Sequence, residues 1–266
     1  MTGIERIRRA FESNARIKIM AHAVCGYPDK AASARILASM ASSGADLIEA
    51  QLPFSDPSAD GSSIVQANHA ARLAGSGTED CLAILETLRG TTSAPILVMS
   101  YINPILAFGV DAMIERAART GLDGFIVPDY PDDEPELGML EKCEAAGLAF
   151  VPLIAPTTGL ERAATLASAG SAPFLYAVLR LGVTGRKTEF YSDSLERLEA
   201  LKSRTGKYIA AGFGIREPSQ IEALRGWADC AIVGSVLIDT ARTAIEEGGD
   251  PADAVGSMLL SLRRDQ

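Results

Sequence analysis

A chain of 266 residues with 47% hydrophobic and 22% charged side chains holds enough apolar material for a substantial core and lacks the composition of a disordered protein. The net charge of −9, with no run of Lys or Arg longer than two residues, excludes the basic stripe that nucleic-acid binding needs, so an anionic ligand would have to be held locally. The four cysteines, Cys25, Cys81, Cys143 and Cys230, form neither a Cys-x-x-Cys pair nor a metal-ligand spacing and read as reduced core residues, while the charged N-terminus and the lack of a ~20-residue apolar stretch predict a cytoplasmic protein with no membrane contact.

In chain order, apolar positions Ile4, Ile7, Ala10 and Phe11 predict a helix over 4–14. Eight short apolar runs follow, beginning near Lys18, Leu47, Ile96, Gly124, Phe150, Phe174, Tyr208 and Ala231. Their hydrophobicity is continuous rather than alternating, as in parallel strands covered on both faces. Between them the pattern predicts amphipathic helices over 31–43, 78–88, 111–120, 134–146, 160–168, 194–205, 218–225 and 251–264. Gly44, Gly121, Gly147, Gly170 and Gly206 stand as C-terminal glycines, and Pro218 and Pro251 suit first-turn positions. Successive strand starts lie 29, 49, 28, 26, 24, 34 and 23 residues apart. Eight such βα units predict a single-domain (β/α)8 barrel spanning 1–266, with the first helix covering its bottom. An open doubly wound sheet would be expected to carry a glycine-rich dinucleotide fingerprint after its first strand, and none is there.

In such barrels the chemistry lies where the strands end. Glu49 falls inside the second apolar run, where a carboxylate is costly unless paired or neutralised. The loop after it, Pro53-Phe54-Ser55-Asp56-Pro57-Ser58-Ala59-Asp60-Gly61, lies in the longest interval, with room to cover a ligand; it also reads as a turn with caps. Glycines recur at the ends of strands six, seven and eight, in Gly182-Val183-Thr184-Gly185, Gly212-Phe213-Gly214-Ile215 and Gly234-Ser235. Any one could be a tight turn; three on one rim point to backbone N–H groups cradling a phosphate ester. With His22 and His69 the only histidines, a transition-metal site is disfavoured. Lys18 and Lys207 fall at strand starts and the other four lysines in helices or loops, which disfavours a Schiff base. Carboxylates acting as general acid and base on a substrate that supplies its own electron sink remain.

At this point the residues resemble the tryptophan synthase α-subunit family of indole-3-glycerol-phosphate lyases, over nearly the whole chain. The most specific block is Ile48-Glu49 followed by Pro53 to Gly61; supporting it in order are Gly26-Tyr27-Pro28, Tyr101-Ile102-Asn103, Val127-Pro128-Asp129-Tyr130-Pro131, Ala155-Pro156-Thr157-Thr158 and the three glycine motifs. The resemblance implies retro-aldol cleavage of indole-3-glycerol phosphate to indole and glyceraldehyde 3-phosphate. It implies no cofactor in this chain, and a tryptophan synthase β subunit carrying pyridoxal phosphate as partner in an αββα complex. By residue it implies Glu49 as proton donor and Asp60 as acceptor for the indole N–H. Gly185, Phe213, Gly214, Gly234 and Ser235 would hold the phosphate end, Tyr101 and Tyr176 would line the indole pocket, and Asp129 would order loops. Thr184 would meet Asp60 on loop closure, and Pro53 and Asp56 would face the partner.

The sequence departs from the family's pattern in ways that bear on the pocket. His22 and Val24 stand where an aromatic and a threonine are usual, Gln51 replaces a glycine, Ser62 a proline and Leu179 a serine. His22, at the end of strand one, could contact indole or be satisfied by backbone. Tyr176 could equally be a core aromatic, and Thr184 a solvated loop hydroxyl. Besides the α subunit, the readings open at this stage are a free-standing lyase, a non-catalytic activator of a β subunit, and another phosphate-binding barrel isomerase with a different acid–base pair.

Overall fold

A computed structural model describes residues 1–12, 16–131, 133–178, 192–212 and 214–263. The chain opens with helix α1 (Gly3–Glu12) and strand β1 (Lys18–Val24). It continues as α2 (Lys30–Ser42), β2 (Leu47–Gln51), α3 (Ser62–Leu73), α4 (Thr78–Arg89), β3 (Ile96–Met99), α5 (Ile102–Phe108), α6 (Val110–Thr120) and β4 (Gly124–Ile126). The second half holds α7 (Met139–Ala145), β5 (Ala149–Phe150), β6 (Leu153–Ile154), α8 (Leu160–Ala169), β7 (Phe174–Val178), α9 (Ser192–Thr205), β8 (Tyr208–Gly212), α10 (Pro218–Glu222), β9 (Cys230–Val233), α11 (Ser235–Glu246) and α12 (Pro251–Leu262).

All described strand pairs are parallel, and the sheet runs β5-β4-β3-β2-β1-β9-β8-β7-β6. Its two ends are halves of one run, the predicted fifth strand, divided at Val151-Pro152 because proline has no N–H for the ladder. Val151 N–H still bonds Phe125 O on one side, and Pro152 O accepts from Tyr176 N–H on the other. The fifth run thus joins β4 to β7 and closes the (β/α)8 barrel that the strand spacing predicts.

The two-residue period of each strand sorts its side chains between two cores. Ile19, Ile48, Val98, Leu175 and Ala211 face the helices, whereas Met20, Leu47, Leu97, Phe174 and Cys230 fill the barrel interior. Helix α1 closes the bottom: Ile7 and Phe11 are buried with the interior set, and the Phe11 ring lies 4.9 Å from Tyr208 and 5.3 Å from Phe174. Arg6 of α1 pairs with the buried Asp123, whose carboxylate also accepts from Ile96 N–H at 2.6 Å.

Several predicted ends hold. Gly44, Gly121, Gly147 and Gly206 all have positive φ, which suits a residue without Cβ, and Pro218 and Pro251 occupy first-turn positions. Gly170 also ends its helix, α8, but with an extended φ of −134° rather than a positive one. The helix expected over 134–146 begins only at Met139, after Gly138 turns the chain at φ +60°; Pro131 and Pro135 keep the acidic stretch before it out of the helix. Helices α3, α5 and α11 are additional to those predicted, and α3 and α4 together occupy the long second interval. Among the described residues no helix is long and apolar enough to cross a membrane.

Candidate active site

Parallel pairing of β1 with β2 sets His22 opposite Glu49 and Val24 opposite Gln51. His22, Glu49 and Gln51 therefore project to the same side, the first two one layer above the apolar floor of Met20 and Leu47 and Gln51 in the next layer up. All three are buried, at 4%, 2% and 0% exposure, and Asp60 from the following loop joins them at 7%. A cavity of about 90 Å³ at the C-terminal ends of the strands is lined by His22, Glu49, Asp60, Tyr176, Gly214 and Gly234.

The loop bearing Asp60 is fixed by its own neighbours. Leu52 N–H bonds Met99 O at 2.9 Å, and Phe54 N–H donates at 2.9 Å to the side chain of the buried Asn68, which in turn donates to Ile64 O within α3. Ala59 N–H donates to the Tyr101 hydroxyl at 2.9 Å, and the rings of Phe54 and Tyr101 lie 5.4 Å apart. Gln51 Nε2 donates to Asp60 Oδ2 at 2.6 Å, so the side chain two residues beyond Glu49 sets the second carboxylate.

Burial pushes the Asp60 carboxyl above its ordinary value, against the opposing pull of the Gln51 hydrogen bond and of the His22 charge. For His22 burial is the largest effect and works the other way, disfavouring the charged ring, but the Glu49 carboxylate together with Asp60 and Gln51 outweighs it and the imidazole is held above its usual range. His22 Nδ1 lies 3.4 Å from Glu49 Oε2. Three buried polar atoms here, His22 Nε2, Glu49 Oε2 and Gln51 Oε1, have no hydrogen bond. Native interiors rarely leave such atoms unsatisfied away from sites that bind or react.

Beside His22, Gly234 and Ser235 open the twelve-residue helix α11, whose first N–H groups lack intrahelical acceptors and favour an anion. A side chain at Gly234 would press on the His22 ring, whose Cβ lies 3.3 Å from where its Cβ would stand. Gly214 has φ +62°, and a Cβ at Gly212 would meet the Tyr176 ring at 3.4 Å. Tyr101 lies beneath the Asp60 loop rather than on the cavity wall. Asp129 is exposed and accepts from Ile102 N–H at 2.9 Å, fastening the start of α5 to the β4 loop. Pro53 is half-buried and Asp56 exposed on the outer face of the loop. Thr184, Gly185, Phe213 and Leu179 lie outside the described residues.

The residue that sequence reasoning noted only as a departure is Gln51. A signal for it was present: two residues past a buried carboxylate on a strand is the same face. Ile64, Met99, Val178 and Ile232 also line the cavity, as apolar residues at or just beyond the ends of their elements.

A closed parallel barrel with two buried carboxylates and a helix N-terminus around one cavity at its C-terminal rim defines the class: a (β/α)8-barrel protein built to act on a small ligand. The sequence profile described as tryptophan synthase alpha chain matches residues 9–258. The chain is 39% identical to the tryptophan synthase alpha chain of Carboxydothermus hydrogenoformans over 90% of its own length and 89% of the relative's. With that of Syntrophotalea carbinolica it shares 37% over 93% and 94%. Among solved structures, a Mycobacterium tuberculosis tryptophan synthase chain superposes with a TM-score of 0.86 at 31% identity, covering 97% of this chain and 96% of that one. The alpha chain of Legionella pneumophila gives 0.88 at 27%, covering 99% and 97%. The chain belongs to the tryptophan synthase alpha chain family and takes the alpha-subunit place in tryptophan biosynthesis.

Proposed function

We propose that this chain, as a single-domain lyase, cleaves indole-3-glycerol phosphate into indole and glyceraldehyde 3-phosphate and passes indole to a β subunit that carries pyridoxal phosphate. The observation that carries this reading is the convergence of Glu49 and Asp60, both buried, on one cavity faced by the N-terminus of α11. Protonation of the indole ring at C3 turns it into an electron sink. The bond from C3 to the glycerol chain then breaks, its electrons return to the ring, and the hydroxyl that becomes the aldehyde gives up its proton. Glu49 fits both proton steps, as donor to C3 and acceptor from the hydroxyl. Asp60, held by Gln51, fits the acceptor of the indole N–H, where its charge stabilises the cationic ring of the transition state.

Gly214, Gly234 and Ser235, with Gly185 and Phe213, form the proposed phosphate end, and Tyr176 the wall of the ring pocket. Among the described residues an imine route is disfavoured by where the lysines stand: Lys18 starts β1 and Lys207 precedes β8, both at the end of the barrel away from the cavity, and Lys30, Lys142 and Lys202 lie on outer helices, while Lys187 lies outside those residues. Metal assistance is disfavoured by the ligand inventory, with two histidines in the chain and His69 exposed on α3. Pro53 and Asp56, on the outer face of the loop that holds Asp60, are the proposed contact with the β subunit, for which an αββα arrangement is the expected assembly.

Mixing the purified chain with indole-3-glycerol phosphate and following indole release, with and without a tryptophan synthase β subunit, tests the reading. Indole release that rises with β supports the α-subunit role; fast release indifferent to β supports a free-standing lyase; no indole in either case removes the lyase. In the same assay Glu49→Gln should lower kcat by about 10²–10⁴-fold while leaving KM for the phosphate substrate near its original value. An unchanged kcat would remove Glu49 as the proton donor.

A further inference from the structure

We propose that His22 is a positioning residue for Glu49, the two side chains sharing one proton as a single acid–base unit across the β1–β2 register. The inference rests on the reading of Glu49 as the proton donor. Its geometry is specific: His22 and Glu49 are directly opposed on adjacent parallel strands, their side chains are 6% and 2% exposed, and Nδ1 stands 3.4 Å from Oε2. The imidazole is packed from behind by Gly234, so any larger residue there would move the ring. Neither Glu49 Oε2 nor His22 Nε2 has a hydrogen bond, which is how a pair looks when its closing contact is made only with a proton or a ligand in place.

The proton balance is closed. With Glu49 ionised, His22 carries protons on both ring nitrogens. Transfer from Nδ1 to Oε2 leaves a neutral imidazole protonated at Nε2 and a protonated Glu49 ready to give its proton to carbon. When Glu49 later accepts the hydroxyl proton, the starting state returns with no net gain or loss. Gln51, on the same face of β2 as Glu49, holds Asp60 through its amide nitrogen and leaves its amide oxygen without a partner.

Among the described residues the groups facing His22 are Glu49 and Gln51 from β2, Asp60 from the following loop and Tyr176 from β7; β9, α11 and α3, which also pack on β1, bring Ile232, Gly234, Ser235 and Ile64 to this cavity and no charge. Burial is the largest single effect on the ring and disfavours its charge; Glu49, with Asp60 and Gln51 behind it, carries the net shift upward. Without Glu49 the buried ring would resist protonation. Without His22 the site would bind its last proton less tightly, because a shared proton has two sites and a lone carboxyl one.

Two measurements test this separately from the lyase reading. The chain has two histidines, so the imidazole signals in a proton NMR titration are assigned with His69→Gln, at an exposed position on α3. His22 should titrate above the ordinary value of about 6.5 in the unsubstituted chain and below it in Glu49→Gln. Equal titration in both would overturn the shared proton. In the indole-release assay, His22→Gln should move the alkaline limb of kcat to lower pH by about one unit or more, with KM changed less than about twofold. A limb that stays in place while KM rises would make His22 a binding or packing residue and overturn the proposal. Coupled NMR titration in a chain that releases no indole at any pH would uphold the His22–Glu49 unit and remove the lyase reading instead.

Discussion

The acidity of Asp60 is set by opposed effects of known sign: burial raises it, and the Gln51 amide, the His22 charge and the nearby Tyr101 hydroxyl lower it. Gln51→Ala removes the strongest of the lowering contacts, so the carboxyl should take up its proton at still higher pH. If anionic Asp60 receives the indole N–H, the acid limb of kcat/KM moves to higher pH. A pH–rate profile of the variant beside the parent checks this. An acid limb that stays in place would mean that Asp60 is held by its loop alone. Glu49 was legible from sequence because a carboxylate inside an apolar strand is anomalous by itself. Gln51 was not, because a neutral amide in the same run carries no comparable cost, and its importance depends on a loop residue nine positions on folding back over it.

Legibility at the scale of elements followed burial. The strands showed themselves because both faces are covered, so each run is apolar throughout; the fifth hid its break because Pro152 interrupts the ladder without interrupting the hydrophobicity. Helix α11 was missed because it begins one residue after β9, in a single apolar stretch that reads as strand and turn. Helix α5 holds Pro104 within seven residues, and α3 mixes small and polar side chains with few large apolar ones. Helix α1 was read correctly because Ile7 and Phe11 lie one turn apart on a face that meets nothing but the barrel floor. Phe11→Ala should accordingly cost about 3–5 kcal/mol in denaturant unfolding, since it empties the space between Phe174 and Tyr208. The same variant should keep its kcat for indole release, because the floor is at the opposite end of the barrel from the cavity. A loss of activity without a loss of stability would show that the floor and the rim are coupled.

Taken as a whole, the molecule separates what keeps it folded from what it does: the apolar floor and the helix-facing shell are below and outside, and the polar cluster is confined to one layer at the rim. Closure of the ring makes many of its contacts distant in sequence, which slows folding and favours intermediates in a chain of this size. Gly3 and Ile4 donate their N–H groups to Gly147 O, more than half the chain away. Pulse-labelled hydrogen exchange during refolding should find those two amides protected after the amides of β2, whose partners β1 and β3 are close at hand. Protection of α1 first would instead identify it as a nucleus.

Helix α1 is made before Asp123, Gly147, Phe174 and Tyr208, which receive it. Until they emerge its apolar stripe has no place to go, so the nascent chain carries an exposed greasy helix that a chaperone can hold. The stopper is manufactured before the vessel, and its seating marks the moment at which the chain is complete enough to exclude water from its own interior.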